Sequence, residues 1–156
     1  GRPPVVLPDP TPRFYRYSVK FLCGAQRSEA CCDPPVRPGK YATAISIYNP
    51  GPTNARIVKH VIPLVPAGAV VGREPGFAAR QASDKTELPP GSATMHGCCR
   101  ISELLLGDPP AGSPPMTIGI LDIVSTKELT VSATYTVTDA SAKVDMDIQN
   151  FPGRRT

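Results

Sequence analysis

Apolar and polar residues alternate along much of this chain with the period of two that is typical of a β-strand. The first clear case is the segment FYRYSVKFLCG, which begins at Phe14. Successive side chains of an extended strand point to opposite faces of a sheet, so this alternation predicts a strand with one apolar face. The apolar positions of that strand are Tyr15, Tyr17, Val19, Phe21 and Cys23.

The same pattern predicts six more strands, at residues 40 to 48, 55 to 65, 92 to 98, 116 to 124, 128 to 138 and 144 to 149. Residues 116 to 124 and 128 to 138 are rich in β-branched residues and are joined by a three-residue connection, which predicts a hairpin. The second predicted strand is followed by Asn49-Pro50-Gly51-Pro52, which predicts a turn.

Three other segments complete the predicted elements. Residues 66 to 90 mix Gly, Pro, Ala and charged residues without a period, which predicts a long excursion with one short edge strand. Residues 100 to 106, RISELLL, are the one predicted helical turn. In the last strand Asp145 and Asp147 alternate with Val144, Met146 and Ile148, and we expect the two acids on the outer, solvated face.

These elements predict an all-β fold. Seven strands with no helix long enough to connect parallel neighbours favour antiparallel pairing. A single two-sheet sandwich of the immunoglobulin-like type would bury the apolar faces, although Trp and the Cys-Trp-Cys spacing of true immunoglobulin domains are absent. We expect one domain over residues 14 to 150 and a short tail at residues 151 to 156.

Proline adds an extended arm to this prediction. The chain has 20 Pro and 13 Gly among 156 residues, which excludes a helical bundle or a coiled coil. Residues 1 to 13, GRPPVVLPDPTPR, are so rich in proline that they predict an extended arm before the domain. Val5, Val6 and Leu7 keep their backbone N–H groups and form its apolar centre. The arm is either a disordered leader or a strand lying along an edge of its own sheet or a neighbour's.

Net charge and hydropathy argue against two classes of partner. The net charge of the chain, +4, is small, and the basic residues are spread from Arg2 to Arg155. This distribution does not indicate a nucleic-acid site. The longest apolar stretch, residues 61 to 72, contains Pro63 and Pro66 and is too short to cross a bilayer. We expect neither nucleic acid nor membrane as a partner.

The cysteines indicate disulfide chemistry at Cys23, Cys31, Cys32, Cys98 and Cys99. Adjacent cysteines do not easily face one zinc ion, which favours disulfides over a structural metal site. Disulfides point to an oxidising compartment or to a hyperthermophile. Because a first residue other than Met is what signal-peptide removal leaves, we expect a secreted protein, extracellular or at the cell surface. Few Asn and Gln residues, no Trp and many loop prolines favour a thermophilic source.

Candidate catalytic and metal-binding residues are few. The chain has two histidines, His60 and His96, and His60 is expected to be a plain strand residue. His96 lies two positions before Cys98, so a strand would place both on one face, as a Cys-His dyad requires. His96 with the two cysteine doublets would also suit copper or zinc. Disulfides account for the same cysteines, so we expect no catalytic residue, no metal and no cofactor.

Three acids near the end of the chain invite comparison with a calcium site. They are Asp139, Asp145 and Asp147. The run that begins at Asp145 lacks the Gly and Glu that an EF-hand loop needs at its sixth and twelfth positions. We therefore expect solvated acids rather than calcium ligands.

Four segments resemble a group of small exported bacterial proteins of uncharacterised function: FYRYSVKFLCG, KYATAISIYNP, HGCCRISELL and VSTKELTVSATYTV. The resemblance covers residues 14 to 150 and implies a β-sandwich without catalytic residues. It also implies a disulfide between Cys23 and Cys98, the two cysteines that match the group's pattern. Cys31, Cys32 and Cys99 depart from that pattern, and we expect a second bridge from Cys31 or Cys32 to Cys99, with one thiol left over.

The arm, the cysteines and the Pro-rich loops together favour a structural role. We expect a subunit of an extracellular filament or surface layer, in which the arm of one copy adds to the β-sandwich of the next. Such head-to-tail, donor-strand addition does not close on itself and produces a homopolymer. The alternative is a monomeric exported module that binds a small ligand or a soft metal, with residues 66 to 90 as its lid. An enzyme is not expected.

Overall fold

Nine β-strands and one helix make up the part of the chain that the structure describes. The structure is a computed structural model, and it describes residues 1, 13 to 27, 35 to 72, 76 to 107 and 115 to 156. The elements are β1 (Tyr15–Gln26), β2 (Gly39–Tyr48), β3 (Ala55–Val65), β4 (Ala82–Leu88), β5 (Ala93–Gly97), α1 (Cys98–Leu106), β6 (Thr117–Ser125), β7 (Thr130–Thr138), β8 (Val144–Phe151) and β9 (Arg154–Arg155).

The named strands pair antiparallel, as predicted. They follow the order β4-β3-β6-β1-β2-β7-β8, with β5 beside β2 and β9 beside β1. β4 is the short edge strand expected within residues 66 to 90, and β9 is a two-residue strand that the tail adds beside β1. The apolar centre of the predicted arm, Val5, Val6 and Leu7, lies outside the described residues.

β1 takes the sheet round a corner because it changes partner along its length. Residues 15 to 23 pair with β6, whereas residues 24 to 26 pair with β2. The change occurs at Gly24, whose φ of 106° lies in the region that favours glycine. The Cys-Gly end of FYRYSVKFLCG therefore supplies the residue that this corner needs.

One apolar core receives side chains from both parts of the sheet. The inward positions predicted for β1 include Tyr17, Val19 and Phe21, and all three are buried. They belong to one cluster with buried residues of other elements: Ile45, Ile47, Ala55, Ile57, Val61, Leu121, Ile123, Val131, Ala133 and Ile101. Because a slip of one residue would turn every one of a strand's inward side chains to solvent, this burial also fixes the register of the ladders.

The predicted hairpin between residues 116 to 124 and 128 to 138 is wrong. A strand has two hydrogen-bonding edges; β6 uses them for β1 and β3, and β7 uses them for β2 and β8. The connection between β6 and β7 therefore crosses from one part of the sheet to the other. The Tyr17 hydroxyl holds this connection by accepting a hydrogen bond from the Leu129 N–H at 2.7 Å and donating to the Leu129 carbonyl at 3.0 Å.

Asn49, in the predicted Asn-Pro-Gly-Pro turn, ties two connections together. It is fully buried, and its Nδ2 donates to the carbonyls of Thr53 and Leu88 at 2.8 and 2.9 Å. Its backbone N–H donates to the Ser92 carbonyl, and its own carbonyl accepts from the Gly91 N–H, both at 2.9 Å. One side chain and its peptide group thus join the β2–β3 turn to the β4–β5 turn.

α1 starts two residues before the predicted helical turn and follows β5 directly. Ile101 anchors it in the core with no exposed surface. The helix ends at Gly107, whose φ is 86° and whose N–H donates to the Glu103 carbonyl at 2.9 Å. The helix therefore lies against the sheet next to β5.

We predict that Tyr17→Phe destabilises the fold by about 1 to 3 kcal/mol, because it leaves the buried N–H and carbonyl of Leu129 without their partner. The free energy of unfolding in urea at neutral pH measures this loss. Tyr15→Phe, on the same strand and only partly buried, is the matched control. Equal losses in the two variants would contradict the role assigned to the Tyr17 hydroxyl.

Candidate functional site

The disulfide between Cys23 and Cys98 is present. Its Cα atoms are 5.7 Å apart, and it joins β1 to the first residue of α1 across a sequence separation of 75. Chain-entropy estimates give a cross-link of this span about 4 kcal/mol of stabilisation before native strain is subtracted. Because Cys98 is bonded to Cys23, the Cys-His dyad considered for His96 has no thiolate there.

The other three cysteines differ in what the structure describes. Cys99 is exposed and forms no disulfide with another described residue. Cys31 and Cys32 lie outside the described residues, so the second bridge to Cys99 stays a prediction. Within the described ranges, no three His, Cys, Asp or Glu side chains form a group that could hold a metal ion.

A buried polar cluster, which the strand pattern does not predict, lies beside α1. Lys59 and His96 are 4% and 1% exposed. The Lys59 Nζ lies 3.2 Å from the His96 Nδ1 and 3.5 Å from the Asp84 Oδ2. Arg100 lies 3.1 Å from the other oxygen of Asp84. We call Lys59, Asp84, His96 and Arg100 the Lys59 cluster.

The topology brings the four residues of the Lys59 cluster together from four elements. Lys59 and Asp84 lie opposite each other in the β3–β4 ladder. His96 lies on β5, which pairs with β2, and Arg100 lies in the first turn of α1. The cluster therefore joins the β3–β4 pair to β5 and α1, which no described ladder connects to that pair.

Burial controls protonation in the Lys59 cluster. Burial, and then the charge of Lys59, lower the pKa of His96 from 6.5 to about 4. Burial also lowers the pKa of Lys59, although the nearby Asp84 carboxylate acts in the opposite direction. Burial would raise the pKa of Asp84, but hydrogen bonding to Arg100 and the charge of Lys59 bring it below its usual value. At neutral pH a neutral His96 thus accepts from charged Lys59.

These contacts give the Lys59 cluster a structural role, because they hold β5 and α1 against the β3–β4 pair. Because Nδ1 of His96 accepts from Lys59, its proton lies on Nε2, which is buried and has no hydrogen-bond partner among the described residues. The charges of Lys59 and Asp84 are paired. Breaking a buried ion pair costs about 3 to 5 kcal/mol, because one charge is left uncompensated. The cluster therefore explains how β5 is held against the β3–β4 pair.

β8 presents its two faces the opposite way round from the prediction. Phe151, its last residue, packs against the core. The period of two then places Asp147 and Asp145 on the core side of the strand, where Asp147 lies opposite Tyr135 in the β7 ladder. Both acids are exposed to solvent, as expected. The expected outer face is wrong, because Phe151 packs against the core and sets the phase of the whole strand.

The apolar side of β8 consequently faces solvent. Val144, Met146 and Ile148 are 64%, 65% and 58% exposed. One edge of β8 pairs with β7, and its other edge has no partner strand within the described ranges. A strand that exposes both an edge and an apolar row is a template for pairing with another chain. The candidate functional site is this β8 surface, which consists of the open edge of β8 and the row Val144, Met146 and Ile148.

A groove of about 210 Å³ runs along the other side of β8. Its walls include the aromatic rings of Tyr41 and Tyr135 and the carboxylates of Asp145 and Asp147. The Tyr135 hydroxyl donates to the Lys20 carbonyl at 2.6 Å, and burial, then the charge of Asp147, raise its pKa. The groove offers aromatic surface and negative charge to any segment that lies along β8.

The remaining candidates from the sequence have local structural contacts. Asp139 lies in the β7–β8 turn, where its Oδ1 accepts from the N–H groups of Ser141 and Lys143 at 2.9 and 3.0 Å. His60 lies half-buried on β3, opposite Asp122 in the β6 ladder. His60 is thus a strand residue on a sheet face, as expected.

Comparison with known proteins leaves the family open. No protein-family model and no curated protein matches the chain. A crystal structure of Thermotoga maritima 1070 is similar at 10% identity and a TM-score of 0.47, over 89% of this chain and 91% of that chain. Among the described residues, no helix has the length and apolar character needed to cross a membrane.

We predict that His96 contributes a loss of about 3 kcal/mol of stability between pH 6.5 and pH 4, because the folded state holds its pKa near 4. In this window the unfolded state binds more protons, so stability falls as the pH falls and this contribution levels off below pH 4. Urea unfolding across the window measures the loss.

His96→Gln should reduce this pH dependence, and His60→Gln, a change at the other histidine, should keep it. The two variants share every other titrating group, so the comparison isolates His96. Equal pH dependence in both variants would contradict the protonation assigned to the Lys59 cluster.

Proposed function

We propose that this chain is a secreted structural subunit that assembles head-to-tail, with the arm of one copy added as a strand to the β8 surface of the next. The observation that carries the proposal is β8 itself, whose residues 144 to 150 are all exposed and whose outer edge is open among the described strands. Open edges pair readily, and donor strands exploit this by supplying the missing backbone partner.

The fold that we propose for this subunit is an immunoglobulin-like sandwich. One layer would hold β4, β3, β6, the first part of β1 and β9; the other would hold the end of β1, β2, β7, β8 and β5. The change of partner within β1 and the core shared by both groups of strands support this arrangement. β8 is then the outermost strand of the second layer.

β8 is a better acceptor than β4, the other outer strand of the sheet order. β4 carries Asp84, Lys85 and Glu87, and Asp84 is engaged in the Lys59 cluster. Charged residues on an edge discourage pairing with another strand. β8 instead offers an apolar row on one side and the aromatic groove on the other, so an added strand would find contacts on both faces.

The composition of the arm suits this acceptor. In an extended strand Val5 and Leu7 share one face, and Arg2 and Val6 share the other. Placed beside β8, the first pair would continue its apolar row, and Arg2 would meet the carboxylates of the groove. Proline already restricts the arm, so ordering it costs less chain entropy than ordering a flexible Gly-Ser leader.

The disulfide chemistry supports a location outside the cell. Disulfides persist in oxidising environments, and the Cys23–Cys98 bond is compatible with an extracellular protein. Export also agrees with the resemblance to small exported bacterial proteins. We therefore propose that the filament forms outside the cell, and a thermophilic source remains part of the proposal.

A monomeric module that binds a small ligand is the second candidate, and the groove beside Tyr41 and Tyr135 favours it. Its carboxylates would select a cationic ligand. The groove holds about 210 Å³, whereas small-molecule pockets range from about 300 to 1,000 Å³. The groove is thus better matched to a side chain of an added strand than to a free ligand.

We predict that deletion of residues 1 to 12 abolishes filaments and leaves a folded protein, no larger than a dimer, that keeps the Cys23–Cys98 bond. Size-exclusion chromatography and negative-stain microscopy measure assembly, while circular dichroism and non-reducing peptide mapping report on the fold and the disulfide. Replacing Val5, Val6 and Leu7 together with Ser should have the same effect, and Asp9→Asn is a control of unchanged arm length.

Two results would contradict this proposal. Unchanged assembly after deletion would make the arm a passive leader. A less stable, aggregation-prone monomer would instead show that the arm covers an edge of its own domain.

A further inference from the structure

The outward face of β5, β2, β7 and β8 is unusually poor in charge. We call it the outer face, and it consists of Met95, Lys40, Ala42, Ala44, Ser46, Tyr48, Thr130, Ser132, Thr134, Thr136, Thr138, Val144, Met146, Ile148 and Asn150. Lys40 is its one charged residue, although 19% of the whole chain is charged. Half of the exposed large apolar side chains that the structure describes lie here, namely Tyr48, Met95, Val144, Met146 and Ile148.

We propose that the outer face is a homodimer interface, covered by the outer face of a second copy of this chain. This contact goes beyond the head-to-tail addition of the arm, because it uses the face of the sheet rather than its edge. A face with one positive charge is poorly matched to a nucleic acid or to an anionic lipid surface, which attract clusters of Lys and Arg. An equally uncharged face is the better match.

The relief of the outer face supports a second copy as the occupant. On the outer face, β8 carries the large side chains of Val144, Met146 and Ile148. β2, on the other side of β7, carries the small residues Ala42 and Ala44. The ladders place Met146, Thr136 and Ala42 at one level across the three strands. They likewise place Ile148 and Ala44 on the two sides of Thr134. At each of these two levels, a large side chain on β8 and a small one on β2 lie at equal distances on the two sides of β7.

A two-fold axis parallel to β7 makes this relief self-complementary. β8 and β2 flank β7 on its two sides, each about 4.8 Å away. Rotation about that axis therefore brings β8 of each copy over β2 of the other, so that Met146 packs on Ala42 and Ile148 on Ala44 of the second copy. Thr134, on the axis, faces its own symmetry mate. The strands then run nearly aligned, as in the aligned class of sheet packing.

The area of the outer face is sufficient for a reversible dimer. About this axis three strands of each copy, β2, β7 and β8, overlap. Spaced about 4.8 Å apart and about 30 Å long, they cover about 430 Å² per copy, or about 860 Å² for the pair. This is the size of a weak, reversible interface. Combined with arm addition, such a dimer would join two filaments side by side.

The decisive experiment is cysteine cross-linking of the full-length chain. Because face-to-face sheets lie about 10 Å apart, a short bis-maleimide rather than a direct disulfide should link the two introduced cysteines of a Thr134→Cys dimer. The yield should be at least tenfold above that of Thr53→Cys, an exposed position away from the outer face. The parent chain under the same conditions gives the background from its own cysteines. A yield for Thr134→Cys no higher than for Thr53→Cys would overturn the proposal.

A second substitution separates this interface from the arm. Ala44→Asp lies in the row of small residues, two strands from the open edge and outside the lining of the groove. It should lower the Thr134→Cys cross-link at least tenfold while leaving filament length unchanged. Ser83→Asp, an exposed change on β4, is the matched control, and Ser46→Asp replaces Ala44→Asp if that variant does not fold. No effect of the Asp variants, or cross-linking that requires residues 1 to 12 or lipid vesicles, would overturn self-association of the outer face.

Discussion

Each strand offers two hydrogen-bonding edges, and the fold depends on how β1 shares one of its edges between two partner strands. One edge of β1 pairs with β6, and the other pairs with β9 at its start and with β2 at its end. Gly24 allows the change of direction, and the adjacent Cys23 is bonded to Cys98 at the start of α1. The disulfide thus fixes β1 next to the point where it changes partner. The positions of β2, β7 and β8 depend on this change, because β2 pairs with the end of β1, and β7 and β8 come after β2 in the sheet order.

Pattern within a single strand was enough to predict much of the architecture. The alternation in β1 correctly identified its inward residues. The Asn-Pro-Gly-Pro motif correctly predicted the turn after Tyr48. What the pattern could not supply was pairing between strands. Adjacent β6 and β7 read as a hairpin by local composition, but their edges are taken by strands distant in sequence, and such competition leaves no local signal.

The same limit explains two errors at the candidate sites. The phase of β8 depends on Phe151, because one aromatic residue that packs against the core outweighs the exposure of three aliphatic ones when the acids can remain solvated at the open edge. One feature of the sequence could have pointed to the Lys59 cluster: Lys59 is in phase with the inward residues Ile57 and Val61, which places a charged side chain on the buried face of β3. Its partners Asp84 and His96 come from strands that only the tertiary fold brings near, so the sequence alone could not assemble them.

Assembly through β8 is the central claim, and hydrogen–deuterium exchange of the assembled full-length chain tests it most directly. An added strand protects the backbone amides of the strand that accepts it. Compared with the chain lacking residues 1 to 12, the assembled chain should show slower exchange in peptides covering β8 and unchanged exchange in peptides covering β4. Slower exchange in β4 with no change in β8 would contradict the claim.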